Sequence, residues 1–421
     1  MIKNEIGITL VSLAIAIVVM TLMAGLIAYS VSDIGKVGEA TNTVQDTYQS
    51  DKRKAESEVN KVNDEWGDVI NKKGIDNETV VSMALNSGIK ITDPGVKPAS
   101  ANATVVPLST TETTDLKDNK DNIVKVPKNF GIAYDSGDNV AEGIVIEYTG
   151  TSDSDPLKGN QYVWVPVGQA ITKTDGTTMP AITLGRYDFD AQWNSSTSTI
   201  DGTGAATIKQ DSANWSTPTS FAPTGRTWNV YEYSADNSEG NAYGNTKAND
   251  LEGFITSANS NHGYYIARYE AGSGASNSKP YTQKDKTAWV SITQPNASTA
   301  CQSMYSGLNT DLINSYAWDT AIVYIQTATG NTAYSKQNRG SNTSIVSTGM
   351  TGDEQCKIND MAKNIYEWTT ESSTSTASGV SRPCVDRGGV YYNDVYFTAL
   401  RHGYSTTNSY PYLGFRPLLY L

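Results

Sequence analysis

The residues between 391 and 412 carry the side chains that most clearly indicate a function. Aliphatic side chains are scarce there, and Tyr, Asn, Ser and Thr dominate. Tyr buries a large area with little loss of rotamer freedom, while Ser and Asn make adaptable hydrogen bonds, as in antibody binding loops. The predicted ligand-binding residues are Tyr391, Tyr392, Asn393, Asp394, Tyr396, Thr398, His402, Tyr404, Ser405, Thr406, Asn408, Tyr410 and Tyr412. The alternative is a Tyr-rich loop that packs against its own domain.

Other chemistry is sparsely represented. The 421 residues include only two His and three Cys, which excludes a histidine-rich metal centre, a zinc ribbon and a disulfide-dense small protein. No Gly-x-Ser-x-Gly motif of a serine hydrolase is present. A net charge of −12 argues against nucleic-acid binding, which normally requires a basic surface.

The N-terminus predicts a membrane anchor. No charged residue occurs from Ile6 to Ser32, a stretch long enough to cross a bilayer as a helix. A short charged leader (1–7) ends at Gly7, directly before the apolar run that starts at Ile8. This order resembles type IV prepilins and implies cleavage between Gly7 and Ile8, although Ser12 stands where pilins usually carry Glu. The alternative is an uncleaved anchor, and both place the rest of the chain outside the cytoplasm.

Between the N-terminus and the C-terminal region, the spacing of apolar residues changes twice along the chain. Residues 8–70 predict one long helix whose outer part is an amphipathic stem, with apolar residues at steps of seven, four and three. The stem's apolar stripe needs a partner, either neighbouring pilin-like subunits or the chain's own head. Residues 71–120 predict the helix end and a linker, and 121–155 predict a small β element.

The C-terminal region, 156–421, carries a set of motifs in a fixed order. They are Tyr162-Val-Trp-Val-Pro-Val-Gly, Gly263-Tyr-Tyr-Ile-Ala-Arg, Trp289-Val-Ser, Trp318-Asp-Thr-Ala, Asn364-Ile-Tyr-Glu-Trp, Arg387-Gly-Gly and Gly414-Phe-Arg-Pro. The set resembles the formylglycine-generating, sulfatase-modifying family, whose domain has a C-type lectin fold. The expected fold is therefore α+β, with an N-terminal helix, a small β element and an irregular lectin-type domain. Trp368, Phe415 and Arg387 are predicted to belong to its buried frame.

The family's catalytic residues are missing. Its copper-dependent members have two Cys after Arg-Gly-Gly, where this chain has residues such as Asn393 and Thr398, and its iron-dependent members need several His. The resemblance therefore implies a scaffold without catalysis. The segment between Arg387-Gly-Gly and Gly414-Phe-Arg also resembles the variable proteins of diversity-generating retroelements, which diversify this part of a lectin fold.

The family resemblance further implies structural calcium, at Asp360, Glu367 and the carbonyls of Lys363 and Ile365. Lys363 departs from the Gly of the family, and the alternative is that the two carboxylates make ordinary loop hydrogen bonds. No cofactor is otherwise expected. Cys301 is predicted to be a buried free thiol, and a disulfide between Cys356 and Cys384 is left open.

These observations favour a non-catalytic binding protein at the cell surface. Its expected partners are the membrane and a protein or glycan on another cell or a phage, with no nucleic acid. A minor pilin that serves filament assembly is the structural alternative. A formylglycine-generating oxidoreductase is the enzymatic alternative, which the missing Cys pair disfavours.

Overall fold

Short strands make up most of the regular structure. The computed structural model describes residues 88–216, 220–232, 250–274, 278–339 and 343–421. The chain divides into two compact units, Met1–Ile89 with Asp93–Val96, and Lys90–Thr92 with Lys97–Leu421. The second unit contains nearly all the described residues. It is β-rich, as the sequence predicts, whereas the predicted anchor and stem (8–70) and the Gly7–Ile8 cleavage site lie outside the described residues.

Three α-helices lie in the described ranges: α1 (Leu251–Ser260), α2 (Gln294–Gln302) and α3 (Ser315–Thr329). The strands are β1 (Ile89–Lys90), β2 (Thr114–Lys117), β3 (Ile123–Val126), β4 (Phe130–Ile132), β5 (Val145–Tyr148), β6 (Gln161–Pro166), β7 (Ile171–Thr172), β8 (Thr178–Met179), β9 (Gly185–Phe189), β10 (Gln192–Asn194), β11 (Thr199–Asp201), β12 (Ala206–Asp211), β13 (Val230–Tyr231), β14 (Gly263–Ala267), β15 (Asn309–Leu312), β16 (Glu354–Gln355), β17 (Ile358–Asn359), β18 (Tyr366–Ser373), β19 (Thr376–Ala377), β20 (Val380–Ser381), β21 (Cys384–Arg387), β22 (Arg401–Tyr404), β23 (Leu413–Phe415) and β24 (Pro417–Tyr420).

The larger sheet is antiparallel, with the strand order β15-β24-β14-β6-β5-β4. Its central strands β6 and β14 are almost continuously apolar because both of their faces are buried. Strand β5 pairs with β6, and β4 pairs with β5, so strands on both sides of the predicted boundary between residues 155 and 156 belong to one sheet. The last strand, β24, lies between β14 and the edge strand β15, so the C-terminal residues are part of the sheet.

The smaller sheet, β13-β18-β21-β22, positions the candidate site. Strand β23 pairs with β18 in parallel, while the other pairs are antiparallel. Because successive side chains of a strand point to opposite faces, Arg387 and Arg401 lie on one face, and Asp386 and His402 lie on the other. The two faces therefore have different surroundings and different roles.

A buried network of ion pairs covers the arginine face. Arg387 donates to Asp319 on α3 at 2.6 Å, and Arg401 donates to both Asp319 and Glu371. Arg186 of β9 also donates to Glu371, at 2.9 Å. All these side chains are almost completely buried, so the network joins α3, β9 and the smaller sheet. Trp368, Phe415 and Arg387 are buried as the sequence predicts.

The Arg-Gly-Gly motif has a steric explanation. Gly388 has a φ of 87°, and a Cβ there would lie 2.7 Å from the carbonyl oxygen of Met361. A Cβ at Gly389 would collide with the carbonyl oxygen of Ala362. The two glycines therefore let β21 leave the sheet directly against the loop 360–364.

The free energy of unfolding is expected to fall as the pH rises from about 4.5 to about 7, because of Glu232. Its carboxylate accepts hydrogen bonds from the Ser315 N–H and the Thr370 hydroxyl, both at 2.8 Å. Burial, and next the charge of Glu371, raise the pKa of Glu232 from 4.5 to about 7. Between these two pKa values the folded state keeps a proton that the unfolded state has lost. The contribution of Glu232 to the free energy of unfolding is therefore complete below pH 4.5 and is lost as the pH rises through the folded pKa, by ~3 kcal/mol in all.

Glu232→Gln should remove this pH dependence, since an amide can accept from Ser315 and donate to Thr370. Urea unfolding across pH measures the effect, and the variant should be the more stable protein above the folded pKa. Glu112→Gln, at an exposed position, is the matched control. An unchanged pH dependence in Glu232→Gln would show that another group titrates.

Candidate ligand-binding surface

An array of aromatic side chains lies on the other face of the smaller sheet and on the loops beside it. We call this array the tyrosine surface. It consists of Tyr366, Tyr391, Tyr392, Tyr396, His402, Tyr404, Tyr410 and Tyr412. The sequence predicted all of these residues as ligand-binding except Tyr366.

Tyr366 is the centre of the array, and its side chain is fully buried. Its ring centroid lies 4.9 Å from that of Tyr396, 6.0 Å from Tyr412 and 6.4 Å from Tyr392, all edge to face. The His402 ring is stacked on it at 5.9 Å. These are the preferred geometries of aromatic pairs, which typically add about 0.5–1.5 kcal/mol each beyond area burial. The centre is therefore a packed hub.

The outer rings also contact one another. Tyr392 and Tyr412 have centroids 5.0 Å apart, Tyr412 and Tyr410 are stacked at 5.2 Å, and Tyr410 lies 5.1 Å from Tyr404. The contacts close through His402, which lies 4.7 Å from Tyr404 and 5.6 Å from Tyr396. Because each ring is held by its neighbours, the surface is ordered without a ligand.

Backbone hydrogen bonds hold the two loops of the surface in place. The Tyr391 N–H donates to the Asn364 carbonyl, and the Tyr366 N–H donates to the Tyr412 carbonyl, both at 3.0 Å. Tyr410 accepts from the Ser291 N–H through its carbonyl, also at 3.0 Å. The loops therefore rest on the frame rather than extending from it.

Exposure separates these side chains from the core. Tyr392 is 43% exposed, and the other outer tyrosines are half-buried. One side of each outer ring packs against the core cluster that contains Trp368 and Phe415, or against a neighbouring ring, and the rest faces solvent. These residues therefore pack against their own domain and also form part of its surface. That they bind a ligand stays a prediction.

Asp386 lies beneath the surface as a fully buried carboxylate. Its Oδ1 lies 3.3 Å from Nδ1 of His402, and its Oδ2 has no hydrogen-bond partner among the described residues. Burial, and next the neighbouring tyrosine and Asp386 groups, raise the pKa of Tyr366, while burial and Asp386 raise that of Tyr404. The Tyr366 and Tyr404 phenols are therefore neutral hydroxyl groups near neutral pH and can donate or accept a hydrogen bond.

The polar residues of the predicted site have different positions. Asp394 forms an ion pair with Arg339 at 2.8 Å, and Asn393 accepts from the Val395 N–H at 3.0 Å. The Asn408 side chain accepts from the Ser405 N–H and stabilises the second loop, where Thr406 is half-buried. Thr398 does not belong to the surface, because it is fully buried and its hydroxyl donates to the Gln337 carbonyl.

A polar cleft of about 490 Å³ adjoins the Tyr410 end of the surface. Trp289 and Ile292 form its apolar part, and Thr293, Asn296 and Ser409 provide hydrogen-bonding groups. Ser409 belongs to the same loop as Tyr410, so the cleft is continuous with the tyrosine surface.

The groups predicted to bind calcium are already engaged. Arg416 donates to both carboxylate oxygens of Glu367, at 2.8 and 2.6 Å, and Asp360 accepts from the Gly349 N–H and the Thr351 hydroxyl. The Lys363 carbonyl accepts from the Ile365 N–H at 3.1 Å. Across the described ranges, no group of three or more His, Cys, Asp or Glu side chains is arranged to hold a metal ion. These residues therefore do not fit a calcium ion as they are placed.

With Arg416 in this position, the melting temperature should be the same in millimolar Ca²⁺ and in chelator, since only a ligand of the folded state stabilises it. Thermal melting of the purified protein makes the comparison. A higher melting temperature in Ca²⁺, absent in a Glu367→Gln variant that still folds, would support the calcium prediction.

The three cysteines are free thiols. Cys301 is fully buried, as predicted, and burial raises its pKa. Cys356 and Cys384 are not bonded to each other, and burial raises the pKa of Cys356 to about 12, so its reactive thiolate is scarce at neutral pH.

Comparisons with known proteins give distant similarities only. No family model and no curated protein matches the chain. A crystal structure of CarF matches with 12% identity over 38% of this chain and 87% of that chain, at a TM-score of 0.28. Treponema denticola variable protein 1 matches with 18% identity over 27% of this chain and 49% of that chain, at a TM-score of 0.19. A Major Tropism Determinant P3c variant matches with 14% identity over 79% and 98%, at a TM-score of 0.26. These likenesses are too distant to assign a function, which rests below on this chain's own residues.

Within the described ranges, none of the helices has the length and apolar character that crossing a bilayer requires.

Proposed function

We propose that this chain is a non-catalytic binding protein and that the tyrosine surface is its ligand-binding site. The observation that carries the proposal is the closed set of ring contacts around Tyr366, which holds half-exposed phenols in one arrangement. Tyr is enriched at the energetic centres of protein interfaces, and a preorganised site loses less entropy on binding.

The side chains of the surface support binding rather than catalysis. The phenols of Tyr366 and Tyr404 are neutral near physiological pH, and the Asp394 carboxylate is paired with Arg339. The copper-binding Cys pair of the formylglycine-generating family is absent from the sequence. We therefore assign the surface no reaction.

The proposal extends to how the surface is presented and varied. The N-terminal segment anchors the chain in a membrane, with the second compact unit outside the cytoplasm, and the partner is a molecule on another cell or on a phage. The side chains of 391–412 differ between related genes, while Arg387-Gly-Gly and Gly414-Phe-Arg stay constant. The frame supports this division, because its glycines and arginines are fixed by close backbone contacts and buried ion pairs.

Tyr392→Ala is the direct test, since this residue combines the largest exposure of the surface with three ring contacts. Truncating an anchor at the centre of an interface costs ~2 kcal/mol or more, or roughly thirtyfold in affinity. Binding of the labelled protein to a panel of bacterial cells, measured by flow cytometry, should fall accordingly. Stability should change little, because exposed substitutions usually stay within about 0.5 kcal/mol.

Tyr134→Ala is the matched control, because Tyr134 is 44% exposed and lies outside the tyrosine surface. It should leave cell binding unchanged. If both variants bind the panel equally well, or if Tyr392→Ala melts as early as a core variant, the tyrosine surface is a packing feature and the proposal is wrong.

A further inference from the structure

Two arginines beside the tyrosine surface have no ion-pair partner among the residues that the structure describes. Arg226 and Arg382 form no ion pair and no side-chain hydrogen bond with any residue in the described part of the chain. Every other arginine in that part is paired with Asp or Glu. In a chain of net charge −12, acidic partners are abundant, so two unpaired guanidinium groups near one surface need an explanation.

Both guanidinium groups lie over aromatic rings. Arg382 is 5.7 Å from the ring centroid of Tyr404, a member of the tyrosine surface. Arg226 is 5.6 Å from the ring of Trp228, and burial lowers its pKa. Tyr396, Asp386 and Tyr366 lie near enough to oppose this shift, which puts Arg226 beside the same surface. Both side chains are half-buried, so each ring fixes the direction of a guanidinium group that still reaches solvent.

An oriented guanidinium group without an acceptor favours a carboxylate. Arg stays charged because its pKa is too high for deprotonation, and burial has already removed part of its water. Its planar fork matches the two oxygens of a carboxylate, and the resulting hydrogen bonds are among the stronger ones in proteins. The two arginines therefore fit a ligand that carries carboxylate groups.

The ring packing favours a protein as the source of these carboxylates. A sugar ring stacks best on a wide, free aromatic face. Here Tyr410 and Tyr412 are stacked on each other and Tyr392 meets Tyr412 edge to face, so a neighbouring ring takes part of the contact area of each. A broad array of tyrosine edges and hydroxyl groups, with Arg at its side, is the composition of protein-binding surfaces.

We propose that the tyrosine surface binds a protein partner through acidic side chains, with Arg226 and Arg382 pairing with Asp or Glu carboxylates of that partner. This inference rests on the proposed function and specifies the chemistry of the ligand. The chain as a whole is acidic and repels an acidic partner. The two positive groups attract that partner, so they also orient it on the tyrosine surface.

The test uses poly-L-glutamate as the probe, with the full chain in detergent and binding measured by fluorescence anisotropy at low and high salt. Wild type should bind, more weakly at high salt, and should not bind poly-L-lysine. The double variant Arg226→Met/Arg382→Met should lose about tenfold or more in affinity, and Arg382→Lys should lose part of it, because Lys cannot form the bidentate pair. Lys158→Met, which removes an exposed cation elsewhere, should bind like wild type. Melting temperatures should be unchanged throughout.

Three results would overturn the inference: no binding of poly-L-glutamate by wild type, equal binding by the double variant, or tighter binding of polygalacturonate that the same variants abolish. The last result would identify an acidic glycan as the ligand.

The Tyr392→Ala cell-binding test separates the two proposals. If Tyr392→Ala weakens cell binding while the double variant binds poly-L-glutamate normally, the binding function stands and its acidic partner does not. If only the arginine variants lose binding, the tyrosine surface is not the site.

Discussion

Replacing Asp319 with Ala is expected to lower the free energy of unfolding by about 3–5 kcal/mol, because it leaves buried cations without their partner. Asp319 accepts hydrogen bonds from Arg387, Arg401 and the Tyr187 N–H, and all three side chains of this ionic group are buried. Burial, and next the charge of Arg401, already lower the pKa of Arg387. Burial lowers the pKa of Arg401 as well, but the charges of Asp319 and Glu371 outweigh burial and hold this pKa above its ordinary value. Without Asp319, the guanidinium groups of Arg186, Arg387 and Arg401 would all share Glu371.

Chemical denaturation of Asp319→Ala measures this loss, and a surface pair provides the control. Asp115 and Lys125 lie 2.8 Å apart, but Asp115 is 54% exposed. Breaking an exposed pair typically costs about 0–1 kcal/mol, so Asp115→Ala should unfold almost like wild type. Equal losses in the two variants would mean that water reaches the network and that the ion pairs do not hold the frame.

The position of this network separates the buried frame of the domain from the tyrosine surface. The network and the tyrosine surface occupy opposite faces of the same strands, β21 and β22. Residues that alternate along a strand thus face the ion-pair network and the tyrosine surface in turn. A substitution at an outer tyrosine removes ring contacts on one face and leaves the ion pairs of the other face intact.

The sequence predicted the residues of the surface better than their arrangement. Tyr-rich composition is a local property, and it identified Tyr391, Tyr392 and Tyr410 without any knowledge of contacts. Thr398 was included by the same composition, but its place next to buried Phe397 takes it into the core. Composition cannot distinguish a loop residue that faces solvent from one that faces inward.

What the sequence missed depends on pairs of residues that are distant along the chain. Arg387 and its partner Asp319 are 68 positions apart, so no local pattern relates them. Tyr366 stands inside the Asn364-Ile-Tyr-Glu-Trp motif, and its central role appears only when β23 pairs with β18 and brings Tyr412 beside it. The place of β4 and β5 in the larger sheet likewise follows from the pairing of β5 with β6 across a loop, with β4 paired to β5.

Replacing Trp368 with Ala is expected to cost about 3–5 kcal/mol of stability, the usual range for a large aromatic side chain in a core. The Trp368 side chain is fully buried, and its indole N–H donates to the Ile292 carbonyl at 2.9 Å. Truncation would leave a cavity and also a buried carbonyl without its donor. The ring supports the tyrosine surface too, because it lies edge to face against Tyr404 with centroids 6.1 Å apart.

Thermal melting and cell binding of Trp368→Ala therefore have to be read together with those of Tyr392→Ala. The Trp368 variant should melt early and, at temperatures where it is still folded, should bind more weakly because Tyr404 loses its support. Tyr392→Ala should bind weakly and melt like wild type. Trp193→Ala, at a half-exposed position in β10, controls for the loss of a Trp as such and should cost much less. If Trp368→Ala kept wild-type stability, the buried aromatic core would not hold the surface in place. The preorganised site on which the binding proposal depends would then lack its support.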